Sequence, residues 1–576
     1  MENQTKKCQN CEREFTIDQN AKSFYQAVAV PEPTLCPKCR LQRRLTFRND
    51  RTLYKRPCAK CGKDVISIYH KDSPYVVYCQ TCWWADDWDG IEYAQDYDFS
   101  KPFFEQYGEL MKKVPLMANF VVEESRMLNS PYNNMVLDLK NCYLMTDSDF
   151  NEDCDYGCEV ELSKHCYDTN LIDKSELMYE CVNCQNCYRC FFCVDCEASA
   201  DTWFSRDCNG CVDCFGCAGL RNQKYCLFNE KFSKDDYFAK VKEMNLGSRA
   251  EIAKIKKQAQ AVWGQHTYKY LHEKLTDDVS GDYLYNSKNV HNSWIVHEAR
   301  NVHYSQYLVA PNVKDSYDFT QFGSNCELFY EILQGGNGGS RVKFSWFAVN
   351  ENHDVEYAIQ VMTSKNCFGC ISLRKKEYCI FNKQYSKEEY EEMIAKIKKQ
   401  MEEMPYVDEK GNKYGYGEFF PSAISPFAYN ETSAQEYFPL NQAKAMSQGF
   451  KWRETEARNY VPTLSEDKIP DDIKNVGENI TSEILACRNA NQGLVHCTTA
   501  FRIINSEVNF YRRIGLPIPD KCPNCRHIDR MQFRNPPIFR EGKCQFPDCE
   551  KTFITGYSKD FPGKIYCKEH YLQAVV

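Results

Sequence analysis

Cys8 and Cys11, Cys36 and Cys39, Cys58 and Cys61, and Cys79 and Cys82 stand as four C-x2-C pairs near the start of the chain. Zinc takes four soft ligands at the corners of a tetrahedron, and a C-x2-C turn presents two of them from one backbone knuckle. The spacing therefore predicts one ion at Cys8, Cys11, Cys36 and Cys39 and a second at Cys58, Cys61, Cys79 and Cys82. The same chemistry is written again at the other end. Adding 486 carries Cys11 to Cys497, Cys36 to Cys522, Cys39 to Cys525 and Cys58 to Cys544 without a gap. With two more residues in the third knuckle, Cys61 meets Cys549, Cys79 meets Cys567 and Cys82 meets His570. Imidazole is an equally good zinc ligand, and histidine cannot make a disulfide, so this exchange favours metal. Cys8 falls on Leu494, which cannot ligate. Cys487 or His496 must substitute; Cys487 is preferred, because adjacent His496 and Cys497 fit one tetrahedron poorly. Four Zn2+ ions are expected.

The elements around the ligands are duplicated as well. Phe15, Phe24, Tyr25, Pro31 and Pro33 meet Phe501, Phe510, Tyr511, Pro517 and Pro519. The stretch FRIINSEVNFYRRIGLPIPDKCPNCR, and more loosely its N-terminal counterpart, resembles the small treble-clef-type "probable zinc-ribbon" modules. The resemblance covers about the first and last 90 residues. The whole layout resembles uncharacterised multi-zinc-ribbon, cysteine-rich-repeat proteins of uncultivated bacteria. This implies zinc and a treble-clef or ribbon fold at each end, and supplies no activity.

Between the knuckles lie arginines. Residues 36–64 hold ten Lys or Arg against two Asp, and residues 512–543 hold eight against three acids. The chain as a whole is acidic, with 80 Asp or Glu against 72 Lys or Arg. Two basic modules on an acidic body point to local anion-binding surfaces. Arg40, Arg43, Arg44 and Arg48, with Arg526, Arg530 and Arg534, are the candidate nucleic-acid contacts, RNA or DNA, beside Phe47, Tyr54, Phe533 and Phe539. The competing reading is that Arg40, Arg44 and Arg48 share one helical face and pair with the acidic middle.

That middle is itself a duplication. VDCFGCAGLRNQKYCLFNEKFSKDDY, from residue 212, matches KNCFGCISLRKKEYCIFNKQYSKEEY, from residue 365. A finer beat runs inside each copy. Asn141-Cys142, Asp153-Cys154 and His165-Cys166 recur every 12 residues, and Asn289, Asn301, Asn312 and Asn325 every 11 to 13. Short β segments at a fixed period predict two parallel β-solenoids, with Val or Cys stacked inward and Asn continuing a side-chain ladder. Ser233 and Ser386 read as helix N-caps with acidic residues in the next turn. Ten cysteines spaced by three in Cys181–Cys217 are similar to iron–sulfur cluster loops, but structural thiols stacked inward are the preferred reading. His291, His297 and His303 follow the same beat and read as outward-facing.

The fold expected is mainly β with some α: two treble-clef/zinc-ribbon terminal domains flanking two short parallel β-solenoid-like repeats with capping helices. The divisions are a double zinc-ribbon domain at 1–95, a linker at 96–133, a cysteine-rich repeat at 134–232 and a helical connector at 233–279. A second repeat follows at 280–384, a helix at 385–404, an aromatic, proline-rich linker at 405–480, and the C-terminal double zinc-ribbon domain at 481–576. No run of about 18 apolar residues is present, and the first residues lack a signal peptide's apolar segment. With 34 cysteines, this reads as a cytoplasmic protein whose thiols ligate metal or pack inside. No nucleophile–base motif, H-E-x-x-H or deaminase signature occurs. The function expected is zinc-dependent, non-catalytic binding of nucleic acid, with a protein–protein scaffold as the alternative. An iron–sulfur protein or a carbohydrate-active enzyme stands further off. The oligomeric state is open.

Overall fold

The computed structural model describes residues 3–454, 461–490 and 492–575, apart from the side chains of 122–124. Its centre is two parallel stacks of β-strands. In the first stack, Cys158 pairs with Asn170, Ile172 with Cys184, Met178 with Cys190 and Cys214 with Cys226. Each pair is twelve residues apart, so the chain returns to hydrogen-bond beside itself once per beat. The second stack steps by eleven to fourteen: Val279 to Val290, Val302 to Ser316, Phe319 to Ile332 and Val355 to Cys367.

The period divides further. Every third residue from Met135 to Asp207 is left-handed, with φ between +46° and +61°. Each twelve-residue turn thus has four corners. After glycine, Asn and Asp tolerate this conformation best, and Asp138, Asn141, Asp147, Asp153, Asp168, Asn183 and Asp195 all occupy corners. The residue after each corner points inward: Cys142, Met145, Ser148 and Asn151 in one turn, Cys166, Thr169, Ile172 and Ser175 two turns later, all buried. Four side chains share so narrow an interior that most must be small. They also satisfy backbone groups. Ser163 Oγ accepts from the amide of Ser175, 3.1 Å away, and Ser175 Oγ from that of Cys187 at 3.0 Å. Cys181 donates to the Cys190 carbonyl at 3.2 Å and Cys193 to the Thr202 carbonyl at 3.0 Å. The three-residue cysteine spacing is therefore the corner spacing, and these thiols are bonded to the next turn.

The side-chain ladder runs along the corners. Asn129 donates to Asn141 and Asn141 to Asp153, at 3.1 and 3.0 Å. In the second stack Asn289 donates to Asn301 and Asn301 to Asp315, at 2.9 and 2.7 Å. Ser233 and Ser386 cap their helices, accepting from the amides of Asp236 and Glu389. The helices Arg249–Gln265 and Lys387–Glu403 follow.

Two features differ from the expectation, and a third adds to it. Residues 96–133 hold the helix Phe103–Lys113, with Phe103, Phe104, Tyr107 and Leu110 buried, and the strand Val121–Leu128, which is already part of the first stack. Residues 405–480 contribute Phe419, Phe420, Phe427 and Tyr429 to the interior; residues 455–460 of that stretch lie outside the described residues. His303 is buried, its ring stacked on Tyr317 at 4.4 Å, because the N-terminal module covers that face.

The terminal modules dock crosswise. One hydrophobic core joins Phe24, Tyr25, Phe47 and Trp83 of the N-terminal module to Tyr317, Tyr330, Trp346 and Tyr357 of the second stack. Another joins Phe510 and Tyr511 of the C-terminal module to Tyr167, Tyr179 and Phe191 of the first stack. The two junctions match ring for ring. Phe24 stacks on Tyr317 at 4.0 Å, and Phe510 on Tyr167 at 3.9 Å. Tyr25 lies 5.5 Å from Tyr330, and Tyr511 lies 5.4 Å from Tyr179.

Candidate metal centres and the arginine helices

Each knuckle is a short antiparallel hairpin followed by a helix that starts on its third ligand. Gln4–Lys7 pairs with Glu14–Ile17, and Cys36 is the N-cap of Pro37–Leu45. Tyr54–Pro57 pairs with Asp64–Ser67, and Cys79 caps Gln80–Trp84. Cys522 likewise caps Pro523–Met531, and the strands Arg540–Lys543 and Thr552–Thr555 flank the Cys544–Cys549 turn. Proline follows Cys36 and Cys522 because the first helical position needs no amide hydrogen.

This construction gathers four donor sets: Cys8, Cys11, Cys36, Cys39; Cys58, Cys61, Cys79, Cys82; Cys487, Cys497, Cys522, Cys525; and Cys544, Cys549, Cys567, His570. Within each, the donor atoms lie within 4.8 Å of one another. Cys487 stands with Cys497, where Leu494 falls on Cys8 in the aligned sequence. One hydrogen bond recurs in all four sets. The amide of the third ligand donates to the first ligand's sulfur: Cys36 to Cys8 at 3.3 Å, Cys79 to Cys58 at 3.3 Å, Cys522 to Cys487 at 3.2 Å and Cys567 to Cys544 at 3.2 Å. Such bonds favour the thiolate, the form that ligates. All 34 cysteines are free of disulfides. The donor sets fit metal ions, and four protein donors leave a tetrahedral ion no open position.

The candidate nucleic-acid arginines face the other way. Arg40, Arg43, Arg44, Arg48, Arg526, Arg530 and Arg534 are all buried, the most exposed, Arg48, at 6%. Arg40 Nη2 meets Asp318 at 2.7 Å. Arg44 Nη1 reaches Asp318 at 3.0 Å and Glu331 at 2.9 Å, and Arg43 reaches Glu331 and Glu418 at 2.8 and 2.6 Å. Arg48 is paired with Asp147 of the first stack. At the other junction, Arg526 pairs with Asp168 and with Glu507, the latter at 3.0 Å. Arg530 meets Asp168 at 2.6 Å, and Arg534 is held by Glu159. Burial works against the charge on Arg40 and Arg526, but Asp318 and Asp168 carry both pKa values well above the ordinary arginine value. These side chains are spent inside the protein, so the expectation that they contact a nucleic acid is corrected: the helix face that carries them is the docking face. Sequence reading missed their partners Asp318, Glu331, Asp168 and Glu507. The available signal was that Asp168 and Asp318 follow the repeat while Arg40 and Arg526 follow the module duplication.

Among the described residues, no helix is long and apolar enough to cross a membrane. No protein-family model and no curated protein matches the chain. Among solved structures, a chain from Desulfovibrio desulfuricans G20 described as a "putative acetyltransferase" aligns at 9% identity and a TM-score of 0.11, over 45% of this chain and 70% of that one. A TM-score that low carries no argument about fold or function.

Proposed function

We propose that this chain is a zinc-stapled, non-catalytic binding platform, in which two β-solenoids are fixed beside each other by treble-clef-type zinc ribbons at the two ends. The observation that carries this reading is the paired docking of the arginine helices, Arg40 and Arg44 on Asp318 and Arg526 and Arg530 on Asp168. A zinc knuckle fixes the start of each helix, and the helix fixes a stack. Closed four-ligand sets support a structural metal, and unpaired cysteines suit a reducing, cytoplasmic setting.

On this reading the exposed faces of the stacks recognise the partner, a protein rather than a nucleic acid, since the arginines that would bind phosphate are already neutralised. The test is metal content by mass spectrometry together with binding of labelled RNA and DNA across a salt series, for the parent chain and for Arg40→Ala/Arg526→Ala. Four zinc ions per chain, with no salt-dependent nucleic-acid binding that the variant loses, is the expected result. Fewer ions than sites would overturn the structural reading. Steep salt dependence abolished by the variant would restore nucleic acid as the partner.

A further inference from the structure

The two halves of the molecule provide an internal comparison. Arg206 pairs with Ala218, and Ile359 with Ile371, the corresponding position in the repeat. One turn earlier Val194 pairs with Arg206, and Trp346 with Ile359. Asp195 therefore corresponds to Phe347, Arg206 to Ile359 and Asp207 to Gln360. The segment entering each stack corresponds as well. The amide of His272 donates to Asp282 Oδ1 at 2.7 Å, and that of Phe120 to Asn134 Oδ1 at 3.0 Å. So His272 takes the place of Phe120, and Asp282 that of Asn134.

One half fills this position with apolar packing: the rings of Phe120 and Phe347 stack at 4.1 Å. The other half puts a charged pair there, His272 Nε2 at 3.6 Å from Asp195 Oδ2, beside a cavity of about 300 Å³. The fold is served by two phenyl rings, so it does not require the polar set. Asp195 is 5% exposed at its side chain and lines the cavity. Its Oδ1 accepts from Asn183 at 2.7 Å. Its Oδ2 is within ion-pair range of Arg206, at 3.2 Å, and of His272, yet accepts no hydrogen bond. The negative charge is thus balanced by two cationic donors, neither of them aligned on this oxygen. Around the rim the other charges pair off: Glu197 with Lys274 at 2.8 Å, Asp207 with Arg221 at 2.8 Å and Glu273 with Lys269 at 3.5 Å. Tyr268, Tyr285, Tyr557 and Tyr571 are among the other lining residues.

We propose that this cavity is a binding site for a neutral polyhydroxylated ligand, a single sugar or cyclitol ring, whose hydroxyl donates to Asp195 Oδ2. Balanced ion pairs offer fixed donors and acceptors without selecting a charge, tyrosine rings offer flat apolar faces, and the volume lies at the small end of ligand pockets. The site does not rest on the zinc-staple reading and uses none of the metal ligands.

The experiment is saturation-transfer NMR and calorimetry on the zinc-loaded full chain. The neutral probes are methyl glucoside, methyl galactoside, N-acetylglucosamine and myo-inositol, and the charged probes glucosamine and glucose 6-phosphate. At least one neutral probe is expected to bind, its affinity falling about tenfold or more in Asp195→Asn, since a buried hydroxyl–carboxylate bond is worth that much. Binding is expected to vanish in Asp195→Phe/Arg206→Ile/His272→Phe/Asp282→Asn, which installs the packing of the other half. If that variant does not fold, the near-isosteric Asp195→Asn decides alone. No neutral binding at 10 mM, roughly the weak limit of specific recognition, would overturn the proposal. Binding unchanged in Asp195→Asn would overturn it too, as would tighter binding of glucosamine or the phosphate.

Discussion

At the residue scale, the buried ion clusters dominate. Removing one partner of a buried pair costs about 3–5 kcal/mol, because the other charge stays inside uncompensated. Arg40→Met leaves Asp318 only partly compensated, by an Arg44 it shares with Glu331, so urea unfolding should report a loss toward the lower end of that range, about 3 kcal/mol. Arg40→Met/Asp318→Leu should cost less than the sum of its single changes, and additivity would mean that the pair is not coupled. His272 makes a separate prediction about pH. Burial opposes its charge, but Asp282 and then Asp195 raise its pKa to about 10, from an ordinary value of 6.5. A histidine raised on folding stabilises fully below its unfolded pKa and loses that contribution as pH climbs through the folded one. Relative to His272→Phe/Asp195→Phe/Arg206→Ile/Asp282→Asn, the parent chain should therefore lose stability between about pH 6.5 and 10. A difference in melting temperature that stays flat across that window would reject the charged pair. The four donor sets were legible in the sequence because each C-x2-C turn is a local fact. That Arg40, Arg44 and Arg48 pair with the acidic middle was legible as the competing reading; which acids they meet was not, because Arg40 and the Asp318 that buries it are 278 positions apart.

At the element scale, the twelve-residue beat was legible because Asn-Cys and Asn-Val steps repeat along it, and the cysteines of the three-residue beat were legible as inward-stacked thiols, while the reason for a spacing of three was not. Its physical cause is the corner geometry, visible only in backbone angles. A left-handed residue every third position sends the following side chain inward, and the interior takes four of them per turn. Small, hydrogen-bonding side chains suit that space, which is why cysteine, serine and threonine alternate along Cys193, Cys196, Ser199, Thr202 and Ser205. Cys193 donates to the Thr202 carbonyl. Cys193→Ser keeps that bond and should change stability by less than about 1 kcal/mol. Cys193→Leu must push neighbouring turns apart and should cost about 1–3 kcal/mol or more. Chemical denaturation of both variants distinguishes the cases; equal losses would mean that the interior is not tightly filled.

At the scale of the whole molecule, chain order and packing order differ. The N-terminal module shares its core with the second stack, and the C-terminal module with the first. A string of independent domains would confine the loss of one metal site to its own module and its neighbour in sequence. The crossed arrangement predicts the opposite pattern. Metal binding is coupled to folding when the knuckle has no stable structure without its ion. Cys522→Ser should therefore release the helix Pro523–Met531, free Arg526 and Arg530 from Asp168, and expose Tyr167 and Tyr179, more than 340 residues upstream. Cys36→Ser should release Pro37–Leu45 and expose Tyr317 and Tyr330 of the second stack. Hydrogen exchange read by mass spectrometry gives the answer peptide by peptide. In Cys522→Ser, protection should fall across 167–180 and hold across 317–331; in Cys36→Ser the two segments should exchange roles. Loss confined to 487–525 or to 8–39 would show that the stacks stand without their clamps, and the cysteine-rich modules would then be passengers on a self-sufficient body. A crossed loss would make each end of the chain the keystone of the half farther from it in sequence, which explains why one cysteine-and-arginine phrase has to be written twice.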